Sequence, residues 1–204
     1  MHALTPTQRR IHQAALRLFT VKGIAQVNIS DLAQEASVAR GTVYKNVESI
    51  EKLFAEVASQ LSAEMHQRVK KAIEGIPDPA QRLANGIRLF IRRAHEEPQW
   101  GAFMTRFAMS SAALREMFYS QATVDVLDGL NSKRYQFQQE QLLSVISLIA
   151  SSTLGSMFLV MEGHRTWRDA GSDTAELVLR GLGIAPDEAR ALSTGDIPTL
   201  PAQD

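Results

Sequence analysis

Apolar residues recur at helical spacing along most of this chain. Ile11, Ala14, Ala15, Leu18 and Phe19 form the inward stripe of a first helix, capped by Thr5 or Thr7, running to Val21 and stopped at Lys22-Gly23. Asn28 is placed to cap a second helix to about Ala36, with Asp31 three residues on as the capping-box acid and Ile29, Leu32, Ala33 and Ala36 turned inward. Val38 and Val43 bracket a third. Ser49 caps a long fourth helix to about Glu74, striped by Leu53, Phe54, Val57, Leu61, Met65 and Val69. The run Gly75-Ile76-Pro77-Asp78-Pro79 is the clearest break in the chain. Beyond it the pattern stays helical. Leu83, Ile87, Phe90 and Ala94 stripe Pro79 to Glu97, Pro98 opens a further helix, and Ser111 to Leu130 carries Leu114, Met117, Phe118, Val124 and Leu127. A polar loop over 131–137 precedes an apolar run from Leu142 to Met161. Asp173, with Glu176 three residues on, predicts the start of a last long helix closed by Gly183, followed by a short helix over Pro186 to Leu192 and a loose tail. The pattern predicts an all-α protein: an N-terminal head over 1–48 and a C-terminal body over 49–204, with 49–75 as connecting helix.

The head concentrates the chemistry. Two short helices set across a tight turn, the second exposing Arg40, Gly41, Thr42, Tyr44, Lys45 and Asn46, have the form of a helix-turn-helix whose second helix enters a DNA major groove. Arg40 offers a bidentate fork for guanine, and Thr42 can donate or accept. Tyr44, Lys45 and Asn46, near the helix end, can reach phosphates. Ser30, Ala39 and Lys52 complete the expected contact surface.

These residues also carry a resemblance. Phe19 and Gly23, then Asn28, Asp31, Leu32 and Ala33, then Ala36, Val38, Gly41, Thr42, Val43 and Tyr44, then Ser49, Glu51 and Leu53 fall at the spacing of the N-terminal motif of TetR family transcriptional regulators, which the first quarter of the chain resembles. The chain departs from that motif at four places. Ser37 stands for a turn glycine, Ala39 for a serine or threonine cap, Asn46-Val47 for His-Phe, and Ile50 for a phosphate-binding lysine. The resemblance implies a homodimer that binds a palindromic operator, most often as a repressor, and is released by a small molecule held in the body. The departures keep open a second reading, a protein-interaction scaffold that retains the helix-turn-helix with weak DNA binding.

Charge refines this picture only locally. The 22 basic and 22 acidic residues cancel, but residues 1–52 hold seven lysines and arginines against four acids, so the head is basic and the remainder acidic. No cysteine occurs, which excludes disulfides and thiolate metal sites and fits a cytoplasmic location. The first residues are too charged for a signal peptide. There is no hydrolase, phosphate-loop or zinc-protease motif, and the five histidines are scattered, so no enzyme, metal or cofactor is expected.

The body suggests two further surfaces. Trp100, Phe103, Met104, Phe107, Phe118, Met157, Phe158 and Met161 form a pool of lining residues for an apolar or aromatic effector, with Arg106 or His164 as polar anchor. The uncharged run Leu142 to Met161 is long enough to span a bilayer. Its five serines, threonine and glycine favour instead a helix buried between its own domain and a second copy. Ser147, Ser151 and Gly155, four residues apart, make a stripe along which another helix can approach. The last long helix adds Leu177 and Arg180 to the expected dimer interface. No membrane contact is expected.

Overall fold

The computed structural model describes residues 4–202, among which the chain forms α-helices and two short 3-10 turns and no strand. The head comprises α1 (Pro6–Lys22), α2 (Ile29–Glu35) and α3 (Arg40–Asn46). The Thr5 hydroxyl accepts the Gln8 amide N–H while the Gln8 side chain accepts that of Thr5, and α1 ends on Gly23, whose φ of 83° suits glycine. The Asn28–Asp31 capping box forms as its sequence predicts. Ile11, Ala14, Ala15 and Phe19 of α1 are buried together with Leu32 and Val43.

The connecting helix α4 (Ile50–Ala72) is capped by the Ser49 hydroxyl, and its stripe Leu53, Val57, Leu61, Met65 and Val69 is buried. The body follows with α5 (Pro79–Glu96), α6 (Pro98–Phe107), α7 (Ala112–Asn131), α8 (Leu142–Met161), α9 (Trp167–Gly181) and α10 (Pro186–Thr194). Helix α5 is its central post, packed by α6, α7, α8, α9 and α10. Such a position leaves little of α5 in contact with water, so even Asn85, Arg88 and Arg93 are buried. Pro98 separates α5 from α6, because proline at position one starts a helix that its missing N–H could not continue. Gly129 in α7 is required by space: a Cβ there would lie 2.0 Å from the Tyr135 ring.

Two expectations are corrected. The last long helix begins six residues before Asp173, at Trp167, because Thr166 caps it and Asp169 sits at the third helical position. Asp173 lies inside the helix and pairs with Arg165. As far as Ala202, the last described residue, the tail is held in place. The Arg88 guanidinium donates to the Gly195 carbonyl at 2.7 Å, Arg68 Nε donates to the Pro201 carbonyl at 2.7 Å, and Ile197 and Leu200 pack on the core between those anchors. Two apolar side chains and two arginines hold a segment whose glycine and prolines alone suggest freedom.

Candidate DNA-binding face and effector cavity

The turn between α2 and α3 is fixed from α1. Ser37 has φ 52°, the left-handed conformation that a glycine would adopt at no steric cost. Arg10 reaches across and donates to the carbonyls of Ala36 at 2.7 Å and Ser37 at 2.6 Å, satisfying the free carbonyls at the end of α2. Arg17 ties α1 to α2 through Glu35 at 2.5 Å, and Lys22 does so through Asp31 at 2.9 Å. The partners of Arg10 are carbonyls distant in the chain, which no local pattern signals.

Helix α3 then presents its outer row. Ala39 occupies the cap position without a side-chain bond, and Arg40, Gly41, Tyr44 and Lys45 are exposed while Val43 is wholly buried. Neither Arg40 nor Lys45 has an acidic partner among the described residues. Gly41 has no neighbour within 4 Å of where a Cβ would stand, so nothing inside the chain requires a glycine there. Thr42 is half-buried, and Asn46 is committed, its side-chain N–H donating to the Thr42 carbonyl at 2.8 Å. Ser30 is half-buried in the first turn of α2. Lys52 is paired with Glu48, whose carboxylate holds the ammonium pKa above its ordinary value. Ile50, at the lysine position of the resembled motif, packs half-buried against the core.

The expected effector pool is largely core. Phe103 and Phe107 join Phe19 and Phe54 in one aromatic cluster, with centroids 5.0 to 5.6 Å apart, and Met104 and Met157 are fully buried. Phe158 points out of the fold and is half-exposed, and Met161 lies against Gly101. Trp100 is buried beside Phe90. Arg106 is no pocket anchor: it donates to the Thr20 and Val21 carbonyls at 2.5 and 3.3 Å, closing the end of α1 onto α6. His164 is exposed in the turn after α8. Helical spacing could not separate these roles, since core packing and cavity lining demand the same stripe.

Of that pool only Phe118 borders the cavity inside the body, a narrow space of about 40 Å³ enclosed by α4, α5, α7 and α8. Its walls are Val69, Ile87, Phe90, Met117, Phe118 and Ile149, with Gln121, Asp125 and Thr153 as the polar exceptions. Asp125 is buried, accepting from Arg82 Nε at 2.7 Å and Gln121 Nε2 at 3.3 Å. Burial pushes its carboxyl pKa up, and the Arg82 guanidinium pulls against that. Asp125 was not among the expected site residues. The signal was present, because Leu114, Met117, Phe118, Gln121 and Asp125 share one face of α7 and a carboxylate in an apolar stripe is an anomaly.

The third surface runs along α8 and α9. Leu143, Ser147, Leu148, Ser151, Gly155, Phe158 and Leu159 are exposed on α8, with Leu177 and Arg180 exposed on the adjoining α9. The opposite side of α8 packs on α5, α6 and α7, so the helix is apolar all round but buried on one side only. Among the described residues this helix, counted from Gln139 to Met161, alone qualifies as a span by length and mean hydropathy, with 39% of its most apolar window buried in the fold.

Residues 11–57 match the bacterial regulatory proteins of the tetR family, and residues 78–194 match the tetracyclin repressor-like C-terminal domain. The chain belongs to the TetR family. Its head is that family's DNA-binding helix-turn-helix, and its body is a TetR-type C-terminal domain. An uncharacterized HTH-type transcriptional regulator of Mycobacterium tuberculosis is 28% identical over 96 residues, which are 47% of this chain and 48% of that protein. The chain thus spans about half the length of the curated relatives it matches. Among solved structures, RolR in complex with resorcinol is similar at a TM-score of 0.70 and 22% identity, covering 96% of both chains. FadR from Bacillus subtilis in complex with stearoyl-CoA is similar at 0.73 and 16%, covering 85% of this chain and 98% of that one. At those identities the likeness is one of fold.

Arg10 gives the turn a direct test. Arg10→Ala leaves two carbonyls without their charged donor and should lower stability by about 1.5 to 3 kcal/mol, whereas Ser37→Gly relieves the left-handed residue and should raise it by up to about 1 kcal/mol. Urea unfolding at one fixed protein concentration measures both. An unchanged midpoint for Arg10→Ala would mean that the arginine is solvated.

Proposed function

We propose that this TetR family member is a homodimeric transcriptional repressor, that the α3 face of each copy reads one half of a palindromic operator, and that a small molecule in the α4–α5–α7–α8 cavity releases it. The observation that carries the DNA reading is the outer face of α3. Two cations there have no acidic partner among the described residues, and Gly41 leaves open space that only an outside surface would use. Arg40 then reads a base, Thr42 and Tyr44 support it, and Lys45 meets phosphate. Ser30, Ala39 and Asn46 border that surface. Lys52 joins only by leaving Glu48. The head acts as 1–48 and the body as 49–204, with α4 as transmitter: Leu53 packs in the head and Val69 in the cavity wall, about 24 Å apart along one rigid helix.

At about 40 Å³ the cavity holds little more than a water molecule, so an effector enters only if α4, α5, α7 and α8 part; once widened, the cavity favours a small, neutral ligand carrying a hydroxyl. Its walls are apolar, and the buried Asp125 carboxylate accepts a hydrogen bond but repels an anion. Between the ligands of the two similar structures, this chemistry is nearer resorcinol than stearoyl-CoA. The ligand acts only if it binds the DNA-incompetent arrangement more tightly, since equal affinity for both states shifts nothing. Homodimerisation through the α8–α9 face accounts for its exposed apolar row. It also makes a water-soluble, cytoplasmic protein with no membrane contact the consistent reading of α8.

Operator sequences selected from random DNA should be two-fold symmetric, with half-sites about 34 Å or a multiple of it apart. Arg40→Ala should cost about 1 to 3 kcal/mol on such a site and relax one base preference per half-site. Equal loss on operator and random DNA would reduce Arg40 to a phosphate contact. Failure to select any sequence would favour the scaffold reading, which the inward turn of Ile50 and the Glu48 partner of Lys52 support.

Resorcinol and simple phenols should weaken operator binding in a gel-shift titration, and Phe118→Trp, which fills the cavity, should abolish the response while leaving operator affinity in place. A response that survives Phe118→Trp would move the effector elsewhere.

A Cβ added at Gly155 meets no packed neighbour within 4 Å, so Gly155→Leu should fold, yet it should sediment as a monomer with weak operator binding. A dimer that persists, or a parent protein extractable only with detergent, would remove the α8–α9 interface.

A further inference from the structure

The cavity beside Asp125 is too narrow for a ligand in this structure, and the segment after α10 is placed to keep it so. From Gly195 to Ala202 the chain passes from α5 to α4 with no helix of its own. Its first anchor is on α5, where the Arg88 guanidinium donates to the Gly195 carbonyl at 2.7 Å. Its second is on α4, where Arg68 Nε donates to the Pro201 carbonyl at 2.7 Å. Between them Ile197 and Leu200 pack on the core, and Pro198 and Pro201 narrow the conformations the backbone can take. Neither anchor side chain is free to follow the segment. Arg88 is buried with Gly171 of α9 against its stem, and Arg68 is held by Glu64 at 2.9 Å and Glu97 at 3.3 Å.

The anchors adjoin the cavity. Val69 and Ile87 line it, and each is the chain neighbour of an anchor, Arg68 and Arg88. The segment therefore ties together two of the four helices that have to part before a ligand larger than water enters. Helix α4 packs on α1 and α7, and its direct polar links to α5 among the described residues are those of Arg93, to Glu64 at 2.8 Å and to the Met65 sulfur at 3.4 Å. We propose that the 195–202 segment is a catch on the cavity. It holds α4 to α5 in the closed arrangement, and widening of the cavity requires one of its two anchors to let go.

A catch that is closed in the empty protein and broken in the filled one sets the apparent affinity of the ligand. Each anchor is a charged donor on a carbonyl, and the loss of one such bond on opening weakens binding about tenfold. Release of the catch returns that factor without any change to a cavity residue. This consequence for regulation rests on the effector reading above, whereas the control of cavity opening does not.

The chain has no cysteine, so a single thiol on the cavity wall reports how often the cavity opens. Ala150→Cys places one there, at a buried residue that lines it. The rate at which methyl methanethiosulfonate, a small neutral reagent, labels this thiol in the ligand-free full-length chain is the reference. Lengthening the segment by Gly-Ser-Gly after the exposed Thr199 keeps both anchors and gives the catch slack, so labelling should quicken about tenfold. Ending the chain at Gly195 should do the same. Arg10→Ala, which weakens the head and touches no part of the segment, should leave the rate where it is. A lengthened chain that labels at the reference rate would overturn the proposal, and acceleration by the shortened chain alone would make the segment a mere cover for the core. Equal acceleration by Arg10→Ala would also overturn it, since the rate would then follow general stability. A gel-shift titration with resorcinol separates this proposal from the effector reading. DNA release from the lengthened chain should need about a tenth of the resorcinol that the parent needs, and an equal requirement would overturn the link to regulation. If resorcinol releases DNA from neither chain while the labelling rates differ, the effector reading falls and the catch stands.

Discussion

The contact on which the structure depends is that of Phe54 with three other aromatic rings. Phe54 leaves α4 and meets Phe19 of α1 edge-on at 5.5 Å and Phe103 and Phe107 of α6 at 5.6 and 5.1 Å. One side chain of the connecting helix thereby touches both the head and the body. Aromatic pairs at these separations are favourable beyond the area they bury, and close packing lets such a cluster shift between discrete arrangements more readily than it deforms. Head and body share one continuous apolar core for this reason. A small domain of three short helices could not bury enough surface alone.

Around that cluster the polar links are few and directional. Arg106 closes the end of α1 onto α6, while the Arg68, Arg93, Glu64 and Glu97 group holds α4 against the α5–α6 junction. Arg93 is 2% exposed and stacks over Trp100 at 4.5 Å. Ion pairs removed from water in this way are costly to break one partner at a time, which favours retention of one arrangement until something outside replaces a partner. Helix α4 is the member common to the aromatic cluster and the ion-pair group. Val69, which lines the cavity, and Leu53, which packs in the head, lie on this one helix.

The tail and the α2–α3 turn share a physical lesson. In each, an arginine from elsewhere in the chain satisfies backbone carbonyls: Arg10 at Ala36 and Ser37, Arg88 at Gly195, Arg68 at Pro201. The guanidinium has five donors in a fixed fork and keeps its charge in the folded interior, so it can fasten irregular backbone that forms no ladder of its own. Ser37 keeps its left-handed backbone without glycine in a turn braced in this way.

By itself the sequence determined what depends on near neighbours. The Asn28–Asp31 box, the Ser49 cap, the stop at Gly23, the inward stripes of α1 and α4, the full extent of α8 and the motif that marks the TetR head were all legible, because each arises from residues within a turn or two of helix. The same locality misled at α9, where Asp173 and Glu176 resembled a start and Thr166 with Asp169 formed one. Tertiary structure alone decided which face of each stripe meets a cavity and which meets a core. Phe103 and Phe118 obey the same periodicity, yet the first fills the junction and the second lines the cavity, since the difference lies in the helix opposite. It also chose the partners of Arg10, Arg68 and Arg106, because a long charged side chain reaches many groups and only the packed fold fixes which carbonyl or carboxylate comes within reach.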